Sequence, residues 1–276
     1  MRTILIITII FLHSIIMLPA DIRPVEKGLI EVVYNKHVVR DTLNRDTKFI
    51  ETPMKLRIGK DMAMFYSIQK MWADSLRYHN LELYAQISIE NEKKGGGLMK
   101  GYETETVYSN FPKDKITVTG FFDMELWEYE EDLSYPVWTI LSESKNILGY
   151  NCQKAVAFYK GREWTAWFCT DFPINFGPWK LHGLPGLILE AYDKKRDYVF
   201  TAVSIGITDI PDVGYYQYNR GTPTKISRNK YHQSRYKAIN KDNSFGIRQA
   251  FGYTESGERP NEVKANYDFE EIDYPH

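Results

Sequence analysis

Cysteine is nearly absent from this chain: its 276 residues carry two, Cys152 and Cys169. Two thiols cannot complete a four-ligand structural zinc site, and neither has a histidine at ligand spacing. Histidine is scarce too, with six in all. No His-x-x-x-His pair occurs, which excludes a metalloprotease helix, and no Gly-x-Ser-x-Gly occurs, which excludes the common serine-hydrolase elbow. Neither sign of charge is in excess: 35 basic against 36 acidic residues leave a net charge of −1. No overall field therefore draws the chain to nucleic acid or to an anionic membrane. Internal repeats and low-complexity linkers are also missing. The reading is one domain with no metal, no cofactor, no catalytic residue and no nucleic-acid partner.

Aromatic residues are plentiful, with 20 tyrosines, 14 phenylalanines and 6 tryptophans. They favour strands over helix bundles. At the N-terminus, Arg2 precedes an apolar run from Ile4 to Leu18, broken only by Thr8, His13 and Ser14 and followed by Pro19-Ala20-Asp21. This pattern predicts a signal peptide over residues 1–20, cleaved after Ala20. The run is short of the ~20 residues that cross a bilayer. No cysteine follows it, so no lipid attachment is expected.

From residue 21 to 276 the pattern predicts a mainly β (α+β) domain. Strands are expected at Leu29–Arg40, Met54–Gly59, Met62–Ser67, Tyr102–Tyr108, Ile116–Phe122, Met124–Glu130, Val137–Ser142, Cys152–Tyr159, Glu163–Thr170, Leu187–Asp193 and Tyr198–Ile207. Short turns join them in sequence, which implies an antiparallel meander, curled into an open barrel in one version of the reading. Ile68–Glu92 suits a helix, and Lys93–Gly97 suits a flexible loop tip. Thr222-Pro223 reads as an N-cap and first helical position for a basic helix over Thr224–Asn240, laid on the sheet with its charges in solvent. From about residue 244 the chain reads as a polar, extended arm.

Several residues are candidates for chemistry. If Lys160-Gly161 is a two-residue hairpin loop, Tyr159 faces Arg162, and counting outward brings Cys152 opposite Cys169. A disulfide is expected there, the alternative being two small hydrophobes packed side by side. If both thiols are free, either becomes a candidate nucleophile beside His182. Arg162, at the hairpin tip, is suited to binding a ligand carboxylate or to pinning a neighbouring chain. Trp167, Trp179 and His182 are candidates for a ligand or partner surface, although a lone histidine is more often a satisfied structural group. The acidic run Asp123, Glu125, Glu128, Glu130, Glu131 and Asp132 lies on one element. It reads as an exposed edge that resists sheet-to-sheet pairing rather than as a glycosidase pair.

The segment Gly177-Pro178-Trp179-Lys180-Leu181-His182-Gly183-Leu184-Pro185-Gly186-Leu187-Ile188 cannot be helical. Gly177, Pro178, Gly183, Pro185 and Gly186 make a tight, rigid bend that feeds a strand. With Trp138-x-Ile140, Gly149-Tyr150-Asn151-Cys152, Gly161-Arg162-x-Trp164 and Ala166-Trp167, this bend resembles the GLPGLI family of bacterial envelope proteins. The resemblance covers about a fifth of the chain. It implies export to the periplasm or the outer-membrane surface and carries over no catalytic residue. The expected function is a periplasmic binding or carrier module for an apolar or peptide ligand. The alternative is an accessory protein of an outer-membrane receptor or transporter.

Overall fold

Ile30, Val32, Tyr34, Lys36 and Val38 are all buried, whereas Glu31, Val33, Asn35 and His37 between them are half-buried. A period of two is what a strand with one face on a core requires, and it recurs along the chain. A computed structural model describes residues 22–93, 103–216, 221–240 and 269–274. The signal-like stretch, the glycine-rich tip beyond Lys93 and most of the expected arm lie outside the described residues.

Fourteen strands and three helices follow one another as β1 (Ile22–Glu26), β2 (Ile30–Val39), β3 (Phe49–Ile58), β4 (Ala63–Ser67), α1 (Ile68–His79), α2 (Leu81–Lys93), β5 (Thr106–Ser109), β6 (Lys115–Phe122), β7 (Glu125–Asp132), β8 (Thr139–Ile147), β9 (Tyr150–Tyr159), β10 (Arg162–Cys169), β11 (Leu187–Asp193), β12 (Tyr198–Gly206), β13 (Val213–Tyr216), β14 (Thr224–Lys225) and α3 (Arg228–Asn240). Twelve strands form one sheet in the order β14-β7-β6-β5-β4-β3-β2-β12-β11-β10-β9-β8, and β1 pairs with β13 in a second. The fold is thus mainly β, as predicted. The large sheet consists of two meanders, β2 to β7 and β8 to β12, joined where β2 pairs antiparallel with β12. Its ends are β14 and β8, so it does not close on itself. Among the described strands only β14 runs parallel, along Trp127 and Glu128 of β7.

The sheet nevertheless curls. Lys160, between β9 and β10 near one end, is ion-paired to Glu131 of β7 near the other. Residues 133–138 cross between these ends. They are held by Tyr159 Oη donating to the Ser134 carbonyl at 3.2 Å and by Trp138 Nε1 donating to the His182 carbonyl at 2.9 Å. The inner face buries the main core, in which Tyr34, Phe65, Trp164 and Phe200 meet ring to ring. A second cluster with Met64, Tyr66, Met71 and Tyr108 packs against Val213 and Tyr216 of β13.

Local departures from the predicted pattern have local causes. Asn80 breaks the expected single helix. Its amide caps α1 by donating to the Leu76 carbonyl, and its side chain opens α2 by accepting from the Leu83 amide at 3.0 Å. This is the double role asparagine plays well at helix ends. The basic helix begins at Arg228, not Thr224, because Ser227 rather than Thr222 is its cap, its Oγ accepting from the Lys230 amide at 3.4 Å. Thr224 and Lys225 are drawn into the sheet instead.

The register of the β9–β10 hairpin is the predicted one, with Arg162 opposite Tyr159 and Phe168 opposite Gln153. The expected disulfide is not formed: Cys152 and Cys169 are free, buried thiols. The β9–β10 ladder ends at Phe168, one position short of the pair. Beyond it Cys169 pairs with Leu187 of β11, and Cys152 with Lys145 of β8. Burial pushes the Cys152 thiol up to about 12, which disfavours a thiolate nucleophile.

Candidate functional site

Lys36 stands on the core face of β2, in the stripe that otherwise carries Val32, Tyr34 and Val38. A lysine there is costly unless paired, and its ammonium meets two carboxylates, those of Glu103 and Glu270, the latter at 2.5 Å. Burial alone would lower the Lys36 ammonium, yet these two carboxylates carry it above its ordinary value. Arg235, on the inward side of α3, reaches Glu105 at 3.1 Å and both Glu103 and Glu270 at 3.6 Å. Tyr231 Oη donates to Glu105 at 2.9 Å. Gly120 of β6 makes this possible, since a Cβ there would lie 2.0 Å from that hydroxyl.

A second ionic group lies alongside. Lys180, fully buried in the bend, pairs with Glu131 and Glu271 and donates to Tyr129 Oη at 2.7 Å. Arg228 and His232 of α3 also meet Glu271, the histidine through Nε2 at 3.3 Å. Burial opposes ionisation of Glu271, but Lys180, His232 and Arg228 hold it well below the usual carboxylate range. Glu270 is held down at about 2 against its burial, by Lys36 and Arg235. Glu105 behaves in the opposite way: burial lifts it to about 7, and Arg235 only partly offsets that.

Both glutamates belong to Phe269–Tyr274, which returns to the domain with no regular secondary structure. The described part of the arm predicted to be polar and extended is thus largely buried: Phe269, Glu270, Glu271 and Tyr274 are buried, Ile272 is half-buried and Asp273 exposed. Arg162 donates to the Phe269 carbonyl from Nε at 3.1 Å and Nη2 at 2.6 Å, while its Nη1 is anchored on Asp193 at 3.1 Å. The Ile272 amide donates to the Lys160 carbonyl at 3.1 Å. Phe269 lies under the Arg235 guanidinium at 4.4 Å, and Tyr274 stacks on His232 at 4.8 Å. The result is a groove on the inner face, floored by β2 and β7, walled by α3 and the β9–β10 tip, and filled by six residues of the same chain.

Of the residues singled out in the sequence, Arg162 is in this groove, pinning a neighbouring chain segment. Trp179 backs it: it is buried, packs on Trp164 at 5.5 Å, and lies 5.8 Å from the Lys180 ammonium. His182 is almost wholly buried, with Nε2 3.1 Å from the Ser134 carbonyl and its ring edge-on to Tyr135, and burial lowers it to about 4. It is a structural, neutral imidazole. Trp167 sits on the opposite face of β10 from Trp164, beneath the Lys145 ammonium at 4.5 Å. The acidic run is an exposed edge in part: Asp123, Glu125, Glu130 and Asp132 are exposed, whereas Glu128 is buried against Tyr215 and Lys225 and Glu131 pairs with Lys160 and Lys180. Lys36, Glu103, Glu105, Lys180, Arg235, Glu270 and Glu271 had not been singled out. Only Lys36 carried a signal, a charge at a core-stripe position.

A separate open cleft of about 600 Å³ lies between α1 and the β6–β7 turn, lined by Tyr78, Leu81, Phe121 and Met124. Its carboxylates are already engaged, Asp74 with Lys70 and Glu125 with Thr224.

A family model described as a protein of unknown function, Porph_ging, matches residues 158–190, the stretch that holds Lys160, Arg162, the bend and Lys180. No curated protein matches the chain. Solved structures of PNGF-II in P21 and C2 crystal forms are similar in fold, each with a TM-score of 0.50, at 15% and 16% sequence identity. Each match covers 77% of this chain and 34% of PNGF-II, so the chain spans about a third of that protein's length.

Proposed function

We propose that this chain is an exported binding module of the bacterial cell envelope that holds an extended, carboxylate-bearing peptide in the groove under α3. One observation carries this reading: six residues without helix or strand are held there by side chains from β2, β10, the bend and α3. That is how a peptide-binding site holds its ligand, with buried anchors, charge-assisted hydrogen bonds and contacts to the peptide backbone. A peptide is favoured over an apolar ligand because the inner face that a carrier would keep open is packed by Tyr34, Phe65, Trp164 and Phe200. Export rests on the signal-like N-terminus and on the GLPGLI resemblance, to which the match with a family of unknown function adds the same region of sequence. In the alternative role, as accessory to an outer-membrane receptor or transporter, the peptide would be an acidic segment of that partner.

The test is fluorescence anisotropy with labelled hexapeptides on the full chain bearing E270K and E271K, which expels the resident segment. Glutamate-bearing peptides should bind, and adding Arg228→Glu should weaken them by about tenfold or more. Absence of binding by every acidic peptide, to variant and parent alike, overturns the proposal.

A further inference from the structure

The segment that fills the groove has a chemistry of its own. Two adjacent glutamates each enter a separate cationic cage, Glu270 between Lys36 and Arg235 and Glu271 between Lys180 and Arg228, with His232 Nε2 at 3.3 Å from Glu271. An aromatic ring flanks them on either side, Phe269 under a guanidinium and Tyr274 on an imidazole. The backbone between them is read at two places, the Phe269 carbonyl and the Ile272 amide. We infer that Phe269–Tyr274 is an internal ligand that masks the groove, and that the partner recognised there is a protein segment with the same layout, an aromatic residue, two glutamates, a two-residue spacer and a second aromatic. This rests on the peptide reading of the groove and adds to it what the peptide looks like and what keeps it out.

Charge supports the inference. With the segment in place, the cations of the groove are balanced by carboxylates from both the domain and the segment. Without it, among the described residues Lys36, Lys160, Lys180, Arg228 and Arg235 face Glu103, Glu105 and Glu131, and Arg162 faces Asp193 and Asp197, so six cations meet five carboxylates and an emptied groove keeps a surplus of positive charge. Removing one side of a buried ion pair leaves the other strongly unfavourable until a new carboxylate replaces it. An acidic peptide supplies that carboxylate, whereas a neutral one does not. His232 Nδ1, beside the Tyr274 ring, is buried with no hydrogen-bond partner among the described residues; with Nε2 turned to Glu271 it is an acceptor, which a ligand hydroxyl could satisfy.

Masking has a quantitative signature. A ligand that can bind only when an internal competitor has left shows an affinity reduced by the fraction of open molecules. The experiment compares full-length parent and E270K/E271K chains with a labelled Phe-Glu-Glu-Ile-Asp-Tyr peptide and with its Phe-Gln-Gln-Ile-Asp-Tyr counterpart. The variant should bind the glutamate peptide at least tenfold tighter than the parent does, and at least tenfold tighter than the glutamine peptide. Equal binding by parent and variant overturns masking while leaving the groove a peptide site. Equal binding of the two peptides overturns the paired-glutamate requirement. If E270K/E271K loses its cooperative melt, F269A/Y274A, which releases both aromatic anchors but keeps the charges, is read against the same outcomes.

Discussion

Cys152 and Cys169 show how much is decided by where a ladder ends. Their sequence positions put them in register across a hairpin, and the observed pairing up to Phe168 and Gln153 keeps that register. The β9–β10 ladder stops one position short of the pair, and both thiols stay free. Both thiols are buried, and buried thiols pack as small hydrophobes with little reactivity. The expected outcome is two free thiols when the protein is denatured without reductant, and negligible labelling of the native fold by a maleimide reagent over the same time. One disulfide in the denatured, unreduced protein would contradict the structure.

At the scale of elements, the bend from Gly177 to Gly186 positions Lys180 and so fixes one of the two ionic cages. Gly183 has φ of 93°, and a Cβ there would lie 2.8 Å from the Tyr135 ring. Gly186 is different: its φ is ordinary, but a Cβ would lie 2.3 Å from the Cys169 carbonyl oxygen. Gly183→Val and Gly186→Val should each destabilise the protein by about 1–3 kcal/mol, lowering the melting temperature by a few degrees. The two separate on combination with Tyr135→Ala. Relieving the ring contact leaves the backbone strain at Gly183 in place, so Gly183→Val should recover only part of its loss, and Gly186→Val none.

For the whole molecule, buried titrating groups set how stability follows pH. Glu105 titrates at about 7 in the fold against an ordinary 4.5, so its contribution is complete below about pH 4.5 and is lost as pH rises through 7. His182 is lowered from 6.5 to about 4, so its contribution is complete above about pH 6.5 and is lost as pH falls through 4. Between pH 4.5 and 7 the two oppose each other, a partial cancellation in which His232, also lowered by burial, sides with His182, so the parent's urea midpoint should not fall as pH rises through this range. Below pH 4.5 Glu270 and Glu271, whose folded values are depressed, lose their ionic partners, and stability should fall steeply. Glu105→Gln removes one side of the cancellation. Its stability relative to the parent should rise by up to roughly 3 kcal/mol from pH 4.5 to 8. A constant difference across that range would mean that Glu105 is ionised throughout.

Local rules made much of this protein legible in its sequence. Alternation placed most strands of the two meanders, the Lys160-Gly161 turn set the β9–β10 register, and glycine with proline marked the bend, because strand, turn and bend depend on neighbours a few residues away. The site was not legible in the same way. Lys36, Glu103, Lys180, Arg235 and Glu270 are far apart in the chain, and all but Lys36, which falls in the core stripe of β2, read alone as ordinary surface charges. Whether a charge is solvated or buried depends on what the folded chain brings to it. Here that required β2 to pair with β12, the sheet to curl until β7 met the β9–β10 tip, and the C-terminal segment to return beneath α3. The sequence by itself determined a mainly β chain with a rigid bend and a turn at Lys160-Gly161. Only the tertiary structure decided which charges became partners, because the energy of an ion pair lies in distance and burial, which no spacing along the chain encodes.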